Sequence, residues 1–97
     1  MTRQVLHIAA AIALLAPGLA AAQELRVGFI NTLSGAGAGP GVEQTNAWKL
    51  GLEHEGWAKD GDKLGGVATK IFYGDDQWKP DVGLKEADRM IQQDKAH

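Results

Sequence analysis

The residues able to do chemistry gather in two short stretches. The first is LRVGFINTLSGAGAGPG, Leu25 to Gly41, where an apolar run opens into a loop with glycines at Gly35, Gly37, Gly39 and Gly41. A glycine loop between a strand and a helix lets backbone N–H groups approach a ligand, and α/β folds bind small molecules at that turn. The spacing narrows the choice. A dinucleotide fingerprint needs a glycine or alanine at its sixth position. Counting from Gly35 that position is Pro40, and from Gly37 it is Val42. The acidic residue that would hold a ribose is due about 20 residues on, and Asp75 comes far later. No Gly-Lys-Ser/Thr run follows, so the loop is not a P-loop. What remains is a cradle for another kind of ligand, or a flexible connector.

The second stretch is GDDQWKP, Gly74 to Pro80. Adjacent Asp75 and Asp76 have the composition of an acid/base pair. They also end a strand and precede a helix, where carboxylates accept backbone N–H groups, and this structural role is the expected one. Trp78 would either cover the loop or stack on a ligand; packing is the plainer expectation. Ser34, the one serine, lacks a G-x-S-x-G elbow and a histidine placed as its base. His7, His54 and His97 do not converge, and no H-x-x-x-H or H-E-x-x-H spacing exists. Asp60-Gly61-Asp62 is too short for a calcium loop and reads as a turn. No metal and no cofactor are expected.

The elements that must position these residues alternate. Leu25 to Ile30 reads as a buried strand. Val42 to Trp57 reads as a helix, with Val42, Thr45, Trp48 and Leu52 on one face, widened by Ala47, Leu50 and Gly51. Glu43, Lys49, Glu53 and Glu55 form its solvated side. Gly56 and the polar run Lys59 to Lys63 end it, and Gly65-Gly66 is a turn. Val67 to Tyr73 is β-branched and aromatic, a second strand, and Gly74 to Lys79 a loop. Pro80 suits a first helical turn, and Asp81 puts negative charge near that N-terminus. Val82, Gly83, Ala87, Met90 and Ile91 recur at helical spacing; Lys85, Glu86, Asp88, Arg89, Gln92 and Gln93 form the outer side. The order β-α-β-α implies an α/β fold with a parallel sheet. Such sheets need helices on both faces, so two strands and two helices read as the start of a larger domain.

Residues 1–22 read as a Sec-type signal peptide and 23–97 as the folded part. Arg3 supplies the n-region, Val5 to Leu15 is apolar apart from His7, and Ala20-Ala21-Ala22 offers small residues before Gln23. The apolar run falls short of the roughly 20 residues of a spanning helix. The net charge is −2 with no basic patch, which argues against nucleic-acid binding. No cysteine is present to staple an exported chain, and a core this small rarely supplies more than about 3–5 kcal/mol unaided.

Together, LRVGFINTLSG, the closing Gly41, the helix through Trp57, KLGG, GDDQWKPDVG and ADRMIQQDKA resemble the N-terminus of periplasmic substrate-binding proteins. The match is to the branched-chain amino acid binding type of ABC importers and covers Leu25 to His97. The resemblance implies a type I periplasmic-binding-protein lobe with a Rossmann-like sheet, incomplete here. It implies two lobes that close on one ligand about a hinge, a location in the periplasm, and a membrane permease as partner. It places the LSG loop on the first lobe facing the cleft. Ser34, Gly35, Gly39, Pro40 and Gly41 are then the candidate ligand contacts, with Asp76 and Gln77 structural. Pro40 stands just before the closing glycine, where family members often carry a ligand-lining side chain. Ala36 replaces the proline usual after LSG. Most groups gripping the ligand would follow a third strand, beyond this sequence, so the chain is expected to be the N-terminal part of the first lobe. The expected order puts strand one between strand two and that third strand. The expected function is binding of an amino acid or related small carboxylate, without catalysis. The rival readings are an exported α/β enzyme whose catalytic residues lie elsewhere and a small secreted protein complete as written.

Overall fold

The computed structural model describes residues 23–97; the expected signal segment, residues 1–22, lies outside them. The chain runs β1 (Leu25–Asn31), α1 (Ala38–His54), β2 (Lys63–Leu64), β3 (Val67–Asp75) and α2 (Pro80–Gln92). The fold is α/β, as expected, built on a three-stranded sheet of order β1-β3-β2. β1 and β3 pair in parallel, with Val27 opposite Ile71 and Phe29 opposite Tyr73. The sheet is mixed rather than purely parallel, because Lys63–Leu64 pairs antiparallel with Val67 and Ala68. The Gly65-Gly66 turn, both residues at positive φ, closes this short hairpin. Two residues carry no periodicity, so β2 left no pattern in the polar run where the sequence suggested only a helix stop.

Side-chain alternation gives the sheet two faces. On one, Val27, Ile71 and Tyr73 meet Trp48, Leu52, Trp57 and Leu64. Phe29 stacks on Trp48 with ring centroids 4.7 Å apart and meets Tyr73 edge-on at 5.9 Å. On the other, Met90 of α2, 2% exposed, lies over Gly28 and Gly74. One helix therefore covers each face. Fully buried Thr69 ties the outer edge of β3 down. Its carbonyl accepts from Gly61 N at 3.0 Å and Trp57 Nε1 at 3.0 Å, and its N–H donates to the Asp62 carbonyl at 2.9 Å. The Asp60-Gly61-Asp62 segment is a turn, as read from sequence. The Asp62 carboxylate accepts from Ala58 N and Lys59 N, and these bonds hold it below its ordinary pKa.

Three sequence expectations for the helices are corrected. Helix α1 starts at Ala38, not Val42, and stops at His54, not Trp57. Proline is tolerated in a first helical turn, so Gly39-Pro40-Gly41 continues the helix instead of preceding it. At the far end Gly56, at φ +87°, reverses the chain. Trp57 N donates to the Leu52 carbonyl at 2.8 Å and Gly56 N to that of Glu53 at 3.0 Å, a Schellman closure. Second, the buried face of α1 is Gly41, Thr45 and Leu52; Val42 is exposed. Gly41 takes the sheet-facing place because the helix crosses β1 so closely that a Cβ there would strike the Thr32 carbonyl oxygen. Third, Ile91 is 58% exposed, while Glu86 and Arg89 are half-buried instead of forming the outer face. Arg89 pairs with Glu86 at 2.8 Å and Asp94 at 2.7 Å and reaches the Tyr73 carbonyl, so its charge is satisfied at the sheet. Pro80 and Asp81 stand in the first turn of α2 as expected.

Candidate ligand-binding site

β1 and β3 run parallel and end together, Asn31 opposite Asp75. Their C-terminal ends release two loops side by side, Thr32–Gly37 and Asp76–Lys79, and carboxylates join them. Asp75 accepts from Leu33 N at 2.9 Å, from Ser34 Oγ at 2.6 Å and from Gln77 N at 2.9 Å. The Ser34 hydroxyl first, then the Leu33 and Gln77 amides, hold its carboxyl below the ordinary value of that group. Asp76 accepts from Thr32 Oγ1 at 2.6 Å and Trp78 N at 2.9 Å. The structural role expected of the acid pair is what the geometry shows, with different partners. The amides they hold belong to the loops and not to α2, whose N-cap Lys79 has no side-chain cap.

Asn31 completes the frame. Its Oδ1 accepts from Thr32 N at 2.8 Å, and its Nδ2 faces the Gly41 carbonyl and Gln44 Oε1, both at 3.2 Å. The start of α1 is thus locked to the end of β1. Gln77 and Trp78 both adopt left-handed backbone, φ +55° and +61°. Such conformations cost on the order of 1–3 kcal/mol each for residues with side chains and persist where surroundings impose them. Here the Asp75 and Asp76 carboxylates hold both amides. The result turns the Trp78 indole onto Gly37, where a Cβ would lie 2.7 Å from Cε3. Trp78 is 69% exposed. The expectation that it packs is met only in part: it packs on a glycine and presents the rest of its ring outward.

Between Trp78 and the first turns of α1 lies a cleft of about 360 Å³, with Asn31 and Thr32 at its base and Ala36, Gly37, Pro40, Gly41 and Gln44 along its sides. No ionisable side chain lines it. In the first turn of α1, Ala38 N donates to the Gly35 carbonyl at 3.2 Å and Gly41 N to that of Gly37 at 3.3 Å. Pro40 has no N–H, so Gly39 keeps the unpaired backbone donor of that turn. Of the candidate contacts, Pro40 and Gly41 line the cleft. Ser34 lies behind it with its proton committed to Asp75, and Gly35, at φ +80°, sits against the Gln77 carbonyl. Gly39 stands beside the cleft on the exposed side of the helix start. The sequence reading passed over Asn31, Thr32 and Gln44, which the structure brings to the same place. Asn31 ending a strand one loop before a helix was the signal available. A larger open groove, about 1110 Å³, follows the C-terminal half of α1 past Trp48 and Leu50 to Leu64, away from the strand ends.

Comparison with known proteins finds similar solved structures, two of them ABC transporter binding proteins. No family model and no curated protein matches the chain. A solute-binding protein of an ABC transporter from Rhodopseudomonas palustris BisB5, solved in complex with 3,4-dihydroxybenzoic acid, superposes with a TM-score of 0.65 and 29% identity over 75% of this chain. An ABC transporter substrate-binding protein from Sphaerobacter thermophilus superposes with a TM-score of 0.64 and 23% identity over 77%. The chain spans 19% of the length of each. Both neighbours are substrate-binding proteins of ABC transporters. The mixed sheet with one helix on each face matches a fragment of a periplasmic-binding-protein lobe.

Proposed function

We propose that the chain is a first-lobe segment of an exported solute-binding protein serving an ABC importer. Its substrate is an amino acid, of the branched-chain type by the sequence resemblance, or a related small carboxylate. The observation that carries this reading is the likeness to the Rhodopseudomonas palustris protein, whose own ligand is a small carboxylate. The cleft supports it. It opens at the C-terminal ends of parallel strands, where α/β sheets bind ligands, and its volume is that of a small-molecule site.

In this reading residues 1–22 export the chain to the periplasm and 23–97 begin the lobe. The segment from Ser34 to Gly41 supplies first-lobe contacts: Pro40 and Gly41 touch the ligand, Gly39 offers its N–H, and Ser34 and Gly35 fix the loop. The work is reversible binding. Enclosure between two lobes gives affinity, and closure signals the permease.

The test uses the protein encoded by the reading frame that contains these 97 residues. Melting temperature and titration calorimetry are measured against a panel of amino acids and small aromatic carboxylates. Stoichiometric binding with a raised melting temperature is expected, since ligand at about 100 times Kd adds about 2.7 kcal/mol. Conversion of a panel member to product would move the protein to the exported-enzyme reading. No response to any member would end the proposal.

A further inference from the structure

Trp78 is the one large aromatic ring at the ligand end, and the sequence gives no reason for its exposure. Three observations bear on it. The backbone at Gln77 and Trp78 is held left-handed by two carboxylates, a conformation that a loop free to relax would abandon. One part of the indole rests on Gly37 and the remainder faces outward, so the ring is fixed in place while a broad surface stays open. The cleft it walls carries no charged side chain; Pro40 is part of its lining, and its polar side chains, Asn31, Thr32 and Gln44, are neutral.

A neutral, flat-walled cleft selects the uncharged part of a ligand. An ionised carboxylate or ammonium placed there would lose water without gaining a counter-charge. A planar ring loses little, because it stacks on indole at van der Waals distance and buries apolar area. Ring hydroxyls would meet the Gln44 amide.

We propose that Trp78 is a stacking surface for a planar ring of the bound solute, so that this cleft takes the ring and the solute's charge is held elsewhere. This rests on the solute-binding reading and narrows it to ring-bearing carboxylates over aliphatic amino acids. The Trp78→Ala and Trp78→Phe variants of the encoded protein are titrated with benzoate, 3,4-dihydroxybenzoate and leucine by calorimetry. Circular dichroism melts check folding, which a change at so exposed a side chain leaves intact. Affinity of the ring carboxylates should fall about tenfold or more in the alanine variant and largely survive in the phenylalanine one, the scale of an aromatic contact plus its buried area. Ring-carboxylate binding unchanged in Trp78→Ala overturns the inference and leaves the solute-binding reading standing. So does tight binding of leucine with no binding of either ring compound. Binding of no solute at all by the unaltered protein overturns both.

Discussion

Asp75 and Asp76 stand side by side yet hold different parts of the same structure, Asp75 the middle of the first loop and Asp76 its start. Their type was legible from sequence as structural, because carboxylates between a strand and a helix have amides to satisfy. Their partners were not, because Leu33, Ser34 and Thr32 come near only once β1 and β3 lie in register. The depressed pKa of Asp75 gives a pH prediction. A carboxylate whose folded pKa is lowered stabilises the fold fully above its unfolded pKa, about 3.9, and loses that contribution as pH falls through the folded value. The melting temperature should therefore drop below about pH 4. Asp75→Asn, unable to accept from Ser34 through its NH₂, should melt lower at neutral pH and depend less on acid. Some acid dependence persists through Asp62. Melts from neutral pH to pH 2 check this, and equal acid slopes in both proteins would refute it. Gly41→Ala tests the helix crossing. The added methyl meets the Thr32 carbonyl, and such overpacking costs about 1–3 kcal/mol, read as a lowered denaturation midpoint.

At the scale of elements, the two long strands were read nearly in full because an apolar run and β-branching mark them directly. Both helices were found, but the first was misplaced at its ends. Gly39-Pro40-Gly41 has loop composition, and only the close approach to Thr32 explains why a helix begins through it. Val42 and Ile91 fell on apolar stripes by spacing alone, yet both are exposed, since a helix over a two-strand platform buries a narrow face. On α2 that face centres on Met90. Met90→Ala should cost about 2–5 kcal/mol, the range for large buried side chains cut to alanine. Urea melts measure it, and a loss under 1 kcal/mol would show that the second face contributes little. Trp48 carries an opposing cost: its Nε1 is buried with no partner among the described residues, set against its stacking on Phe29.

Across the described residues, the sheet is covered along one edge and open along the other. β2 and the turn at Asp60–Asp62 cover the outer edge of β3. On the far edge of β1, among the described residues, only His97 makes backbone-directed contacts: its N–H donates to the Arg26 carbonyl at 2.9 Å, and its Nδ1 accepts from Arg26 N at 3.2 Å. Alternate residues of a strand point their backbone groups the same way, so Gly28 and Ile30 face outward with Arg26. Their amides should exchange with solvent much faster than those of Val27 and Phe29, which hydrogen-exchange NMR reads residue by residue. An open apolar edge also invites pairing between chains. For residues 23–97 taken alone, sedimentation velocity at rising concentration should show association, and protection gained at Gly28 and Ile30 would locate it. Sequence order predicted alternation and parallel pairing. It did not predict β2 or the contact of His97 with β1, because edges are set by what the rest of the chain reaches.

The carboxylate ties between the loops also set an order of events in time. The bonds from Thr32, Leu33 and Ser34 span 44, 42 and 41 positions of sequence, so no local signal shapes the first loop. Closing so long a segment must come before those contacts form. The loop carrying the proposed ligand contacts is then among the last parts of the chain to take shape, waiting on a strand that emerges from the ribosome well after it. Pulse-labelling during refolding should find the Leu33 amide protected later than that of Phe29. Until then the glycines of the loop are only a tether, and the cleft does not yet exist.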